Sequence, residues 1–83
     1  RKTDVDWSGV DQDLFQELRT LRKQMADESG QPPYIIFSDE SLRAMAREKP
    51  IDRKGFLNIK GVGEKKVALY GTSFLECIIH FQG

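Results

Sequence analysis

The segment Ile59-Lys60-Gly61-Val62-Gly63, inside the stretch from Phe56 to Lys66, forces this chain to turn. Helical pattern precedes it and resumes after it, where Val67 and Tyr70 fall three residues apart on one face. The spacing predicts two helices joined by a glycine turn. Gly61 accepts a positive φ and closes the first helix. Val62 plugs the turn into the core. Gly63 leads into the next helix and leaves its first amides uncovered. Such amides, backed by the positive end of the helix dipole, form an anion site. Lys65 and Lys66 fall in the first helical turn, where a cation opposes the dipole by roughly 0.3–1 kcal/mol. Glu64 offsets part of that. Two lysines there suit a visiting phosphate. The competing reading is a plain helical corner with solvated lysines, since Gly-x-Gly alone is a weak signal.

Eighty-three residues make one domain with one core. That leaves little room for a substrate cavity and a catalytic set. An apolar content of 39% suits a helical globule rather than a disordered chain. No apolar run is long enough to cross a bilayer, and no signal-peptide pattern opens the chain. The start at Arg1 and the stop after an apolar helix suggest a piece of a longer protein. The single cysteine, Cys77, excludes an internal disulfide and a cysteine metal cluster, and fits a reducing compartment. Net charge is zero, unlike a strongly basic DNA binder. Its distribution is uneven. Residues 1–42 carry five basic and nine acidic side chains; residues 43–66 carry eight and three. Positive charge therefore gathers around the glycine turn.

Residues 1–8 read as a loose segment and 9–83 as a single domain. Trp7 is expected to anchor the loose segment over the first helix. Ser8 with Asp11 resembles a capping pair. Leu14, Leu18, Leu21 and Met25 then mark an amphipathic helix over about 9–28, with Arg19, Arg22 and Lys23 flanking the stripe. Pro32-Pro33 stiffens a crossing, and Tyr34 to Phe37 is expected as an extended connector. If extended, Ile35 and Phe37 point one way and Tyr34 and Ile36 the other. Tyr34 is either a half-buried core aromatic or an exposed ring. Ser38 caps a helix that Pro50 ends, burying Leu42, Met45 and Ala46. Its Arg43 and Arg47 share one exposed face. Asp52 caps a short helix through Leu57, with Phe56 and Ile59 in the core. After the turn, a helix runs to Tyr70. Gly71 is expected to break it, and Thr72 to cap a last helix through Phe81. That last helix, with Phe74, Leu75, Ile78, Ile79 and Phe81, is either central or covered by another part of the parent protein. The fold class is all-α, a compact bundle of about five helices. One histidine, His80, and one cysteine, both near the end, do not make a catalytic pair. No catalytic residue, metal site or cofactor is expected.

Pro32-Pro33-Tyr34-Ile35-Ile36-Phe37-Ser38-Asp39, then Leu42, Met45-Ala46 and Pro50, then Ile59 to Gly63, Lys66 and Tyr70-Gly71, together resemble an HRDC domain, the C-terminal module of helicases and RNase D. The resemblance runs from about Leu14 to Ile79. The Pro-Pro-Tyr form is most similar to bacterial RecQ-type DNA helicases. It implies a non-catalytic, monomeric accessory module of an ATP-dependent helicase, in the bacterial cytoplasm near the nucleoid. Its partners would be single-stranded or branched DNA and the rest of the parent helicase, with no membrane contact. Gly61, Val62 and Gly63 match the family's turn, and Tyr34 its aromatic position beside the diproline. Lys60, Lys65 and Lys66 are assigned to DNA on local physics as well. Arg22, Lys23, Arg43, Arg47 and Lys54 extend the candidate surface. Two alternatives remain: a protein-interaction or intramolecular docking module without DNA binding, and an RNA-binding module of an RNase D-like exonuclease.

Overall fold

The computed structural model describes residues 7–82. Of the segment 1–8 expected to be loose, residues 1–6 lie outside them, and Trp7 and Ser8 are held by contacts to Phe15 and Arg47. Helix α1 spans Gln12–Ser29, α2 Pro33–Ile36, α3 Asp39–Glu48 and α4 Arg53–Leu57. Helix α5 (Glu64–Lys66), a π-helical segment (Val67–Gly71) and α6 (Thr72–Gln82) then run on as one rod. There is no strand among the described residues. The bundle of five helical rods agrees with the expected number, but the partition differs in two places.

The first difference is at Gly71. It does not break the helix, and Thr72 is not a cap, because Thr72 itself has helical φ −58° and ψ −47°. Gly71 is there for close packing. A Cβ would stand 3.0 Å from Val67 Cγ1 and 3.2 Å from Phe56 Cε2, tighter than such contacts normally run. Helix α4 therefore lies hard against the rod. The extra residue is absorbed as a π-turn instead of a break.

The second difference is α2. Pro33 occupies the first helical position, where its fixed φ is already helical and its missing N–H is not needed. Four residues thus coil where an extended connector was expected. The sidedness changes with them: Ile36 and Phe37 are buried, while Tyr34 and Ile35 are exposed.

Ser8 is not the cap of α1. Ser8 and Gly9 lie in a turn before it, closed by Val10 N–H on the carbonyl of Trp7, and the Asp11 carboxylate accepts from Leu14 N–H at 3.1 Å. That hydrogen bond, and then the Lys49 ammonium at 3.1 Å, hold the Asp11 carboxyl below its usual range. Its folded pKa is depressed. Its contribution to stability is therefore present above the unfolded value of about 3.9 and is lost as pH falls through the lower folded value. Acid titration of the unfolding midpoint should show this loss below about pH 4. Asp11→Asn should flatten that part of the profile, and an unchanged profile would refute the assignment.

The other caps are where the sequence puts them. Ser38 Oγ accepts from Ser41 N–H, and Asp52 Oδ1 accepts from Gly55 N–H. The core joins Leu14 and Leu18 of α1, Leu42, Met45 and Ala46 of α3, Phe56 of α4, and Phe74 and Ile78 of α6. Phe15, on the edge of the periodic stripe, is also buried. It receives Trp7 edge-on at 4.9 Å, so Trp7 does close over α1. At the centre stands Phe37. Its ring packs edge-to-face against Phe74 at 4.9 Å, Phe56 at 6.0 Å and Tyr70 at 6.1 Å. Four elements therefore meet on the residue that follows α2. The last helix is not central: Phe74 and Ile78 are buried, but Ile79 and Phe81 remain exposed.

Candidate nucleic-acid interface

The glycine turn is built against the start of α3. Ser41, buried in the first turn of α3, donates its hydroxyl to the carbonyl of Lys60 at 2.7 Å. Gly61 follows with φ +83°, and a Cβ there would run into Ser41 Oγ. So Gly61 is dictated twice, by backbone conformation and by space. Ser41 was missed by sequence reasoning, because a serine in a helix's first turn is ordinary and its partner lies 19 residues away. Val62 is buried and plugs the turn as expected.

Gly63 caps the long rod without any side-chain hydrogen bond. The first bond across the rod's start runs from Val67 N–H to the carbonyl of Gly63. The amides of Glu64, Lys65 and Lys66 precede it and have no carbonyl of the same helix to bond. A Cβ at Gly63 would meet nothing within 4 Å, so the helix start faces open space. Lys65 is exposed beside it. Lys66 leans back, with its ammonium 5.8 Å from the centre of the Phe37 ring. That cation–π contact ties the rod's first turn to the end of α2.

Tyr34 projects from α2 with 67% of its surface exposed. Its backbone is set from both sides. Pro32 and Pro33 fix the entry, and Phe37 anchors the exit. Tyr70 also donates its hydroxyl to Gln31 Oε1 at 3.2 Å, holding the segment before the diproline. An aromatic ring presented on so rigid a mount loses little freedom when a flat partner stacks on it.

The remaining candidates divide. Lys60 pairs with Glu40 at 3.0 Å, and with Arg43 and Arg47 these two line one hollow of about 190 Å³. So the two arginines of α3 do converge with the glycine turn. Both also hold the N-terminal segment. The Arg43 guanidinium lies 5.6 Å over the Trp7 ring, and Arg47 Nε donates to the carbonyl of Ser8. Lys23 pairs with Asp27 on the exposed side of α1. Lys54 is exposed on α4.

Arg22 must be removed from the surface. It is buried, donates to the carbonyl of Phe37 at 2.9 Å and pairs with Asp39 at 2.8 Å. Its place on the flank of the apolar stripe puts it under α2, where satisfying a buried carbonyl outweighs any role toward solvent. Among the described residues, no cluster of histidine, cysteine or acidic side chains is arranged to hold a metal.

Residues 11–78 match the sequence profile of the HRDC domain. The chain belongs to the HRDC family. This HRDC domain is 47% identical over 64 residues to an ATP-dependent DNA helicase RecQ of Bacillus subtilis, covering 77% of the chain. It is 46% identical over 71 residues to that of Haemophilus influenzae, covering 86%. It spans only 11% and 12% of those two proteins. Among solved structures it is similar to the D. radiodurans RecQ HRDC domain 3, with a TM-score of 0.81 and 30% identity over 84% of this chain and 92% of that one. An all-helical HRDC fold is thus common to the sequence match and the structural one. No helix among the described residues is long and apolar enough to cross a membrane.

Proposed function

We propose that this HRDC domain is a non-catalytic accessory module of a RecQ-type helicase that holds single-stranded or branched DNA weakly. The observation that carries the reading is the helix start at Gly63. It has no side-chain cap, faces open space and carries Lys65 and Lys66 in its first turn. Phosphate is the group that a bare helix start flanked by ammonium groups accepts. Tyr34 adds a face for one base. Stacking is indifferent to base identity, so the binding is sequence-tolerant. The acidic residues nearby, Glu40 and Glu64, keep the attraction modest.

The expected Kd is about 10⁻⁴–10⁻⁶ M near physiological salt, the non-specific range. Three or four phosphate contacts give a log–log salt slope of roughly −2 to −3. Replacing Lys65 and Lys66 by alanine should make that slope shallower with the helical circular dichroism intact. Tyr34→Ala should cost ~1–3 kcal/mol with little change in slope. NMR titration with an oligothymidylate is the direct check. Shifts that leave Gly61 to Lys66 and Tyr34 unmoved would sink the proposed surface. The second reading is a docking module, favoured by the exposure of Leu69, Ile79 and Phe81 on the long rod. It takes over if millimolar oligonucleotide at low salt moves no amide.

A further inference from the structure

The sequence directs attention to residues 43–66, because the first half of the chain is acidic. Folding changes that balance locally. A groove of about 370 Å³ runs between α1 and the start of α2. It is lined by Gln16, Arg19, Thr20, Lys23 and Pro33, with Arg22 and Asp27 completing it. Arg22 is spent on Phe37 and Asp39, and Lys23 shares its charge with Asp27. Arg19 is exposed and has no hydrogen bond or ion pair among the described residues. The groove therefore presents one uncommitted guanidinium, a shared ammonium and the amide side chain of Gln16. Its wall, Pro33, immediately precedes Tyr34.

Along the chain, Tyr34 lies between two residues that each border cations. Toward the end of α2, Phe37 carries Lys66 against its ring. Toward the start of α2, Pro33 borders Arg19 and Lys23. An exposed aromatic on a short helix whose two ends border cations suits a single strand, with a base on the ring and phosphates beyond it. We propose that the α1–α2 groove is a second phosphate subsite for single-stranded DNA, with Arg19 as its principal ligand. The strand then crosses Tyr34 from the glycine turn to α1. This rests on the reading of Tyr34 and the lysine turn as a DNA surface. Guanidinium at Arg19 suits the role, since it offers a planar fork of donors to phosphate oxygens. Arg22 acts differently, as a positioning residue that pins the end of α2 from below.

The test is fluorescence anisotropy of a labelled oligothymidylate on the 83-residue chain at several salt concentrations. Arg19→Ala should weaken binding roughly 2–5-fold at low salt, as loss of one exposed charge contact does. It should also reduce the salt slope by about 0.7, the single-strand value per phosphate. Adding Lys23→Ala should reduce both further, and Arg19→Lys should restore the slope. Both positions are exposed, and circular dichroism verifies the fold. If Arg19→Ala and the double variant bind like the parent chain while Lys65→Ala/Lys66→Ala weakens binding, the groove is not a subsite and the glycine-turn reading stands. If the parent chain does not bind, both readings fall. Equal weakening by Arg19→Ala at every salt concentration, with an unchanged slope, also overturns a phosphate role.

Discussion

Phe37→Ala is expected to cost ~3–5 kcal/mol, the range for a buried phenylalanine truncated to alanine. The ring is fully buried and makes edge-to-face contacts with Phe56, Tyr70 and Phe74. Each such pair adds about 0.5–1.5 kcal/mol beyond the area it buries. The void opens where α2, α4, the π-turn and α6 meet, and helices anchored elsewhere cannot collapse fully to fill it. A domain of this size has a total stability of ~5–15 kcal/mol, so the loss is a large share of it. Urea unfolding followed by circular dichroism gives the number. A midpoint close to that of the parent chain would mean Phe37 is not the hub. Leu18→Ala, Phe56→Ala and Ile78→Ala remove fully buried side chains too and belong to the same test. Phe37 has a second consequence. It anchors Tyr34's helix and carries Lys66, so its loss should weaken DNA binding at temperatures where the domain is still folded.

Gly61→Ala should cost ~2–3 kcal/mol although it adds one methyl group. A non-glycine residue in the left-handed region costs roughly 1–2 kcal/mol. The methyl also runs into Ser41 Oγ, which bonds the carbonyl of Lys60. Displacing that hydroxyl leaves a buried polar group short of its partner, a further cost of about 1 kcal/mol or more. The same change shifts the amides that follow, so weaker DNA binding should accompany the lower melting temperature. Gly63→Ala is the control. Gly63 has φ −107° and open space around it, so alanine fits there without strain. If Gly61→Ala and Gly63→Ala are equally mild in thermal melts, the account of the turn is wrong.

Much of this architecture is written locally. The apolar stripe of α1, the Ser38 and Asp52 caps, the diproline and the glycine turn each act over a few residues, where backbone sterics and short-range hydrogen bonds decide the outcome. The helical class and the place of the turn were therefore legible. So was the burial of Val62, because an apolar side chain between two glycines has few other places to go. Gly71 was misread because a glycine in a helical pattern carries two meanings. It marks either a break or a close approach, and only the position of Phe56 across the interface selects the second. The coil at Pro33 was misread for a related reason: the same diproline starts a helix or an extended run, and burial of Ile36 and Phe37 chooses the helix.

The candidate surface shows the same division more sharply. Sequence alone determined that lysines flank a glycine turn and that a tyrosine follows a diproline. Which charges are available was decided by tertiary structure. Arg22 and Arg19 lie three residues apart on one helix and read alike in sequence. The chain folds α2 over Arg22, whose guanidinium then satisfies the carbonyl of Phe37 and pairs with Asp39, and leaves Arg19 in solvent. Glu40 reaches Lys60 across 20 residues, and Arg43 stacks on a tryptophan 36 residues earlier. Short spacing fixes which side chains share a helix face, but electrostatic partners depend on distance in space, and that is set only when the faces pack.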